Sequence, residues 1–222
     1  MNVLLFGASG MVGMGALLEC LSDPRVASVL VVGRTPCGVR HPKLEEILHQ
    51  DFFNYSSIQP RLTNIDACFF CLGVSVIGMS EERYHHLTFD LTLAAAHALL
   101  VGNTRLTFCY VSGAGTDSTE HGRIMWARVK GKTENALLAL PFKAAFMLRP
   151  GFIQPLQGAR SKTPLYQAGY AVLSPLYPLL RRLAPRSLTT TVNVGQALIS
   201  VADHGYPTSI LTAEDINRAA TG

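Results

Sequence analysis

Runs of like charge are missing from this 222-residue sequence. Charged residues make up only 15% of it, the net charge is +4, and Arg181-Arg182 is the only adjacent basic pair. That dispersion excludes a basic stripe following a nucleic-acid backbone, and a mildly basic surface or attraction to a phosphorylated ligand accounts for the balance. Also missing is any apolar stretch able to span a bilayer, since residues 91–101 and 171–180 are too short or interrupted by proline. The N-terminus is apolar without a basic leader, which reads as a chain with no secretory signal and a cytoplasmic location. Five cysteines give no disulfide framework and point to a reducing compartment. Cys68 and Cys71 have a metal or redox spacing but no second pair. In their apolar run they read as small buried hydrophobes, as do Cys20 and Cys109, while Cys37 falls in a loop. His85, His86 and His97 lack a carboxylate at ligand spacing and read as partly buried or solvated helix residues. With 48% hydrophobic residues, what remains is a compact single domain spanning 1–222.

What is present begins at the N-terminus. The apolar run Val3-Leu-Leu-Phe6 leads into Gly7-Ala-Ser-Gly10-Met-Val-Gly13 and then an apolar, helix-like stretch. This is a strand, a glycine-rich turn and a helix, the setting in which such a turn cradles a nucleotide phosphate. Gly7 suits a tight turn, Gly10 admits close approach of a pyrophosphate, and Gly13 permits close helix-to-strand packing. Ser9, Met11 and Val12 complete the expected cradle, with the free N–H groups of the helix start facing the anion.

Further along, strands alternate with helices. Strands are expected at 3–6, 28–32, 47–50, 67–72, 106–111 and 144–148, and helices at 11–21, from an N-cap at Ser80 to about 101, and at 125–140. The spacing predicts an α/β fold with a doubly wound parallel sheet, Rossmann-like, its strands covered on both faces. After Arg149-Pro150-Gly151 five prolines interrupt the pattern, so 152–191 reads as a small C-terminal lid on the substrate side. Tyr166, Tyr170, Tyr177, Leu179 and Leu180 are candidates for lid, core or a homodimer patch. A helix at 194–202, a strand near 209–211 and a helix from Ala213 return the chain to the sheet edge.

The end of the second strand offers Gly33-Arg34 and no carboxylate. An acid there favours the free adenosine ribose, whereas a guanidinium fits a 2′-phosphate, so NADP(H) is expected over NAD(H). Asp51 and Phe52 are placed at the adenine, and Cys71, Leu72, Gly73 and Val74 along the adenosine and pyrophosphate path, Gly73 because a backbone near a ligand wants no side chain.

These segments, with Tyr110-Val-Ser-Gly113 and Leu148-Arg-Pro-Gly151, carry a resemblance. The chain resembles an atypical short-chain dehydrogenase/reductase, of the NAD-dependent epimerase/dehydratase-like kind, over most of residues 1–152. Its GxxGxxG spacing matches the extended and atypical members. The resemblance implies that Pro150 and Gly151 border the cofactor, that Ser112 orients a substrate carbonyl, and that Lys130 holds the nicotinamide ribose and tunes a Tyr four residues before it. Here that position is Trp126. An indole N–H donates only and cannot cycle a proton near neutral pH. Three readings follow: an oxidoreductase on a carbonyl or sugar-like substrate drawing its proton from another group, with Tyr110, Asp117, Glu120 and His121 nearby; hydride transfer to a flavin or quinone that takes its proton from solvent; or a regulatory or redox-sensing interaction protein that binds NADPH without turnover. A small-molecule substrate or acceptor is the expected partner, with no nucleic acid, no metal and no stable membrane insertion. Glu134 is expected to be exposed and to pair with Lys130.

Overall fold

The computed structural model describes residues 1–156 and 188–222. Strand β1 (Asn2–Phe6) is an interior strand, third in a sheet of seven parallel strands. The others are β2 (Ser28–Gly33), β3 (Leu44–Leu48), β4 (Ala67–Phe70), β5 (Thr107–Val111), β6 (Ala144–Arg149) and β9 (Ile210–Thr212), in the order β3-β2-β1-β4-β5-β6-β9. Alternate residues of β1 face opposite layers. Val3 and Leu5 join one core with Ala16, Leu17, Val194 and Leu198, while Leu4 and Phe6 join another with Ala95, Leu99 and Leu137. Burial on both faces is why these strands are continuously apolar instead of alternating. The doubly wound sheet expected from the sequence is the one observed.

Helix α1 (Met11–Ser22) and helix α5 (Thr191–His204) cover the first face. The second is covered by α3 (Leu91–Leu100) and α4 (Met125–Ala139), with α2 (Glu81–His85) and a π-helical turn at His86–Asp90 leading into α3. The Ser80 hydroxyl accepts the Arg83 N–H at 3.3 Å, the expected N-cap. The long helix is nonetheless broken by the π turn, which leaves no mark in the hydrophobic pattern.

Two further differences concern strands that depend on a partner strand. Strand β3 begins three residues earlier than expected because it is an edge strand, pairing Leu44 with Val29, and its Glu45 and Glu46 hide it from an apolar search. A second, two-stranded parallel sheet, β7 (Phe152–Gln154) with β8 (Leu188–Thr190), was not anticipated. It brackets residues 157–187, so most of the expected lid, including its three tyrosines, lies outside the described residues. Helix α5 starts at Thr191, where the Thr190 hydroxyl accepts the Asn193 N–H at 3.0 Å. Helix α6 (Ala213–Ala219) opens with a reciprocal cap between Thr212 and Asp215. No helix among the described residues is long and apolar enough to cross a membrane.

The chain leaves β1 in one direction to β2 and β3 and in the other to β4, β5 and β6. The crevice at the C-terminal ends of β1 and β4 is therefore the switch point where open α/β sheets hold ligands.

Candidate functional site

The turn after β1 is shaped by contact with β4. Gly7 has φ +85, and a Cβ there would lie 2.7 Å from the Cys71 carbonyl oxygen. The Gly10 N–H closes the turn on the Gly7 oxygen at 2.9 Å. Gly10 is also the N-cap of α1, with no side-chain cap bond, so the first N–H groups of the helix have no side-chain acceptor. Gly13 acts differently from the cradle residues: its Cβ would fall 2.1 Å from the Gly7 oxygen, and it packs beneath the turn without lining the cleft.

A cleft of about 450 Å³ opens above this turn. Its walls bring together Gly7, Ser9, Gly10, Met11 and Val12 with Arg34, Cys71, Leu72 and Gly73, and with Ser112, Lys130 and Pro150. Val74, Ser75, Val111 and Ile153 also line it. The first three belong to or adjoin segments already singled out, while Ile153 belongs to the unanticipated β7. A recess of about 220 Å³ adjoins, lined by Gly33, Thr35, Cys37 and Phe52 and sharing Gly7, Ser9, Arg34 and Leu72 with the cleft. Arg34 thus borders both parts of one groove. It is exposed, and its guanidinium makes no ion pair with a described residue.

Ser112 follows β5, and its N–H bonds the Leu148 oxygen on the neighbouring strand at 2.8 Å. Its Oγ lies 3.0 Å from Thr116 Oγ1, which donates to the Gly113 oxygen at 2.8 Å. With the Thr116 hydrogen committed there, the Ser112 hydroxyl donates to Thr116 and keeps its lone pairs for a donor in the cleft.

Lys130 enters from α4, its Nζ 5.2 Å from the centre of the Tyr110 ring. Burial lowers its ammonium to about 8, opposed by the negative charge of Glu134. Glu134 itself departs from expectation. It is 0% exposed and grips Arg149, whose Nε reaches both carboxylate oxygens at 3.1 Å and whose Nη2 reaches Oε2 at 2.5 Å. Arg149 Nη2 also donates to Ser118 Oγ. The reason is that α4 lies hard against the loop after β5, where a Cβ on Gly131 would come within 1.7 Å of the Asp117 oxygen. This turns the next helical turn toward the end of β6.

Several expected members are left out of the groove. The Trp126 ring packs over Gly113 and Gly115, where a Cβ on Gly115 would sit 3.5 Å from Cη2, and it does not line the cleft. Gly151 does not line it either. Asp51 is exposed, its carboxylate accepting the Phe53 N–H, and only its neighbour Phe52 reaches the recess. The nearby proton sources also fall away. Tyr110 is 1% exposed among Phe70 and Phe108, and burial pushes its phenol well above the usual range. Asp117 braces its loop through Thr119 Oγ1 and the Gly122 N–H, bonds that hold its carboxyl below the ordinary value. Glu120 accepts from Asn135, and His121 is exposed.

Cys68 and Cys109 are buried free thiols whose titration is raised by burial, whereas Cys71, expected to be buried, is half-buried on the cleft wall, its thiol raised to about 12 by desolvation. His85 and His86 do have a carboxylate beside them, since Asp90 lies 3.5 Å from one Nδ1 and 3.0 Å from the other. The i,i+4 spacing of His86 and Asp90 was the missed signal. No group of three or more metal-ligating side chains occurs among the described residues.

No protein-family model matches the chain. It is 32% identical over 186 residues to the mitochondrial protein fmp52-1 of Aspergillus terreus, covering 77% of this chain and 75% of that one. It is 31% identical over 158 residues to mitochondrial fmp52 of Emericella nidulans, covering 68% and 66%, and 28% identical over 173 residues to mitochondrial FMP52 of Saccharomyces cerevisiae, covering 77% and 71%. These names overturn the expectation of a cytoplasmic location.

Among solved structures, an oxidoreductase of the short-chain dehydrogenase/reductase family from Burkholderia thailandensis has a TM-score of 0.67 at 14% identity, covering 98% of this chain and 92% of that one. WbmF of Bordetella bronchiseptica, in complex with NAD+, gives 0.66 at 16% identity, covering 99% and 77%. The UDP-glucuronic acid 4-epimerase of Bacillus cereus, in complex with NAD, gives 0.65 at 13%, covering 95% and 75%. The fold is that of the short-chain dehydrogenase/reductases.

Proposed function

The chain belongs to the Fmp52 family, and from that premise and the groove we propose that it binds NADP(H) and passes hydride to a small carbonyl, quinone or flavin-type acceptor. One observation carries the reading: a helix start without a side-chain cap and an Arg34 that pairs with no described carboxylate border one continuous groove that ends at Ser112 and Lys130. The residues fit such a cofactor. The turn 7–12 and the α1 N-terminus suit the pyrophosphate, and Arg34 suits a 2′-phosphate. Gly73 leaves its side of the groove open, since no described atom lies within 4 Å of where its Cβ would be. When bound, the cofactor supplies a hydride from its nicotinamide. Lys130 would lie at the ribose and acceptor end of the groove, with the Ser112 lone pairs facing a donor beside it.

The second reading, an NADPH-binding regulator without turnover, is favoured by one feature, the indole of Trp126 packed on the Gly113–Gly115 loop in place of a phenol in the cleft. Nicotinamide absorbance, followed with a panel of carbonyls, quinones and flavins, separates the two. Turnover supports the enzyme, and tight binding without turnover supports the regulator. Titration of NADPH and NADH against wild type and Arg34→Glu tests the cofactor choice. Wild type is expected to prefer NADPH by at least tenfold and the variant NADH; an unchanged ratio would sink the role of Arg34. The location proposed is mitochondrial, following the relatives, and cell fractionation checks it.

A further inference from the structure

We propose that Lys130 supplies the proton for carbonyl reduction in this protein, doing the work of the phenol that Trp126 displaces. The proposal rests on the oxidoreductase reading above and commits it to a carbonyl acceptor.

Elimination within the cleft comes first. The side chains lining it that carry a hydrogen on a polar atom are Ser9, Arg34, Cys71, Ser75, Ser112 and Lys130, among the described residues. A guanidinium does not give up its proton, and serine hydroxyls do not ionise near neutral pH. The Cys71 thiol is kept protonated by burial. Of these described side chains, Lys130 is the one that can cycle a proton there.

The surroundings of Lys130 favour that cycle. On its β5 side lies the Tyr110 ring, neutral and buried, with the buried Tyr84 of α2 next to it. On its own helix the one carboxylate within a turn is Glu134, and Arg149 of β6 already holds both of its oxygens. Across the cleft stand the neutral Cys71 thiol and the cation Arg34. No described carboxylate lines the cleft to pin the ammonium. The amine and ammonium are therefore close in energy near neutral pH, the condition for an efficient general acid. Ser112 lines the same cleft as Lys130, and its lone pairs are left to accept a hydrogen bond there.

The step balances. As the carbonyl carbon gains hydride from the reduced nicotinamide, the C=O π electrons move to oxygen. A Lys130 N–H bond breaks and an O–H bond forms, giving an alcohol, oxidised nicotinamide and a neutral amine. Solvent then restores the ammonium.

Two measurements test the assignment. The chain has five lysines, so 13Cε-lysine NMR resolves each titration, with Lys130 identified by its loss in Lys130→Arg. A midpoint near 8 is expected, whereas one near the ordinary value of about 10.4 overturns the proposal. In turnover, Lys130→Arg keeps a cation for the ribose but cannot release a proton. It is expected to bind NADPH within a few-fold of wild type and to reduce carbonyls roughly 10²–10⁴-fold more slowly. In Lys130→Ala, added primary amines should restore rate in proportion to their proton-donating strength, a response that a purely structural lysine would not show. A Lys130→Arg protein as fast as wild type, or a wild type that binds NADPH yet reduces no carbonyl, overturns the proton role. Failure of wild type to bind NADPH at all overturns the underlying reading instead.

Discussion

Lys130 and Glu134 sit one helical turn apart, and burial acts on them in opposite ways. Arg149 compensates the carboxylate, whereas no described carboxylate is given over to the ammonium, whose titration falls to about 8. The folded lysine therefore binds its proton less tightly than the unfolded one. Its cost to stability is present in full below pH 8, shrinks as pH rises, and is gone once the unfolded value near 10.4 is passed. Lys130→Met, which keeps the stem and removes the charge, should accordingly stabilise the protein by about 1–3 kcal/mol at pH 7 and by almost nothing above pH ~11. Urea unfolding at the two pH values measures this, and a variant less stable than wild type at pH 7 would contradict it. The residue types at these positions were legible, but their environments were not. An i,i+4 Lys-Glu pair in a polar-looking helix reads as a solvated ion pair, and nothing local says that an arginine 15 residues on will claim the carboxylate.

Helix α4 carries Lys130 into the cleft, and two contacts fix how it lies. One is the close seat of Gly131 on the Asp117 carbonyl, and the other is the Glu134–Arg149–Ser118 cluster that ties the helix to β6 and to the loop after β5. The loop holding Ser112 and Thr116 is thus gripped from two sides. Arg149→Met should remove the clamp and leave a fully buried carboxylate without its partner, at a cost of about 3–5 kcal/mol. Chemical denaturation should show that loss together with altered Lys130 titration, because Glu134 is the group that opposes the fall of the lysine. A loss below 1 kcal/mol would mean that the pair contributes nothing beyond its own desolvation. At this scale the sequence was readable where one element makes its own pattern. The β1–turn–α1 unit, the Ser80 cap and the apolar β4 and β5 emerged within a residue or two. It was silent where an element depends on a distant partner, as for edge strand β3 and for β7, which exists only by pairing with β8 more than 30 residues later.

Across the whole molecule, the parallel sheet and its switch point gather into one groove segments from residue 7 to residue 153. A ligand filling that groove bridges β1, β2, β4, β5 and α4, so its binding should resist global unfolding. At a hundredfold excess over its Kd, NADPH should add ~2.7 kcal/mol, or roughly 5–10 °C in Tm for a chain of this size. NADH at the same concentration should give a clearly smaller shift. Differential scanning fluorimetry measures both, and equal shifts would speak against Arg34 as a phosphate ligand.

The sequence by itself determined the strand–glycine turn–helix start, the alternation that forces a doubly wound parallel sheet, and the presence of Arg34, Ser112 and Lys130 at its strand ends and on the helix that follows. These follow from backbone freedom and hydrophobic period, which act over a few neighbouring residues. Only the tertiary structure decided that Trp126 packs away from the cleft, that Tyr110 is sealed in the core, that Asp117 braces its own loop, and that Glu134 belongs to Arg149. Burial and charge pairing depend on residues brought together from far along the chain, and they leave Lys130 as the one described group in the cleft able to move a proton.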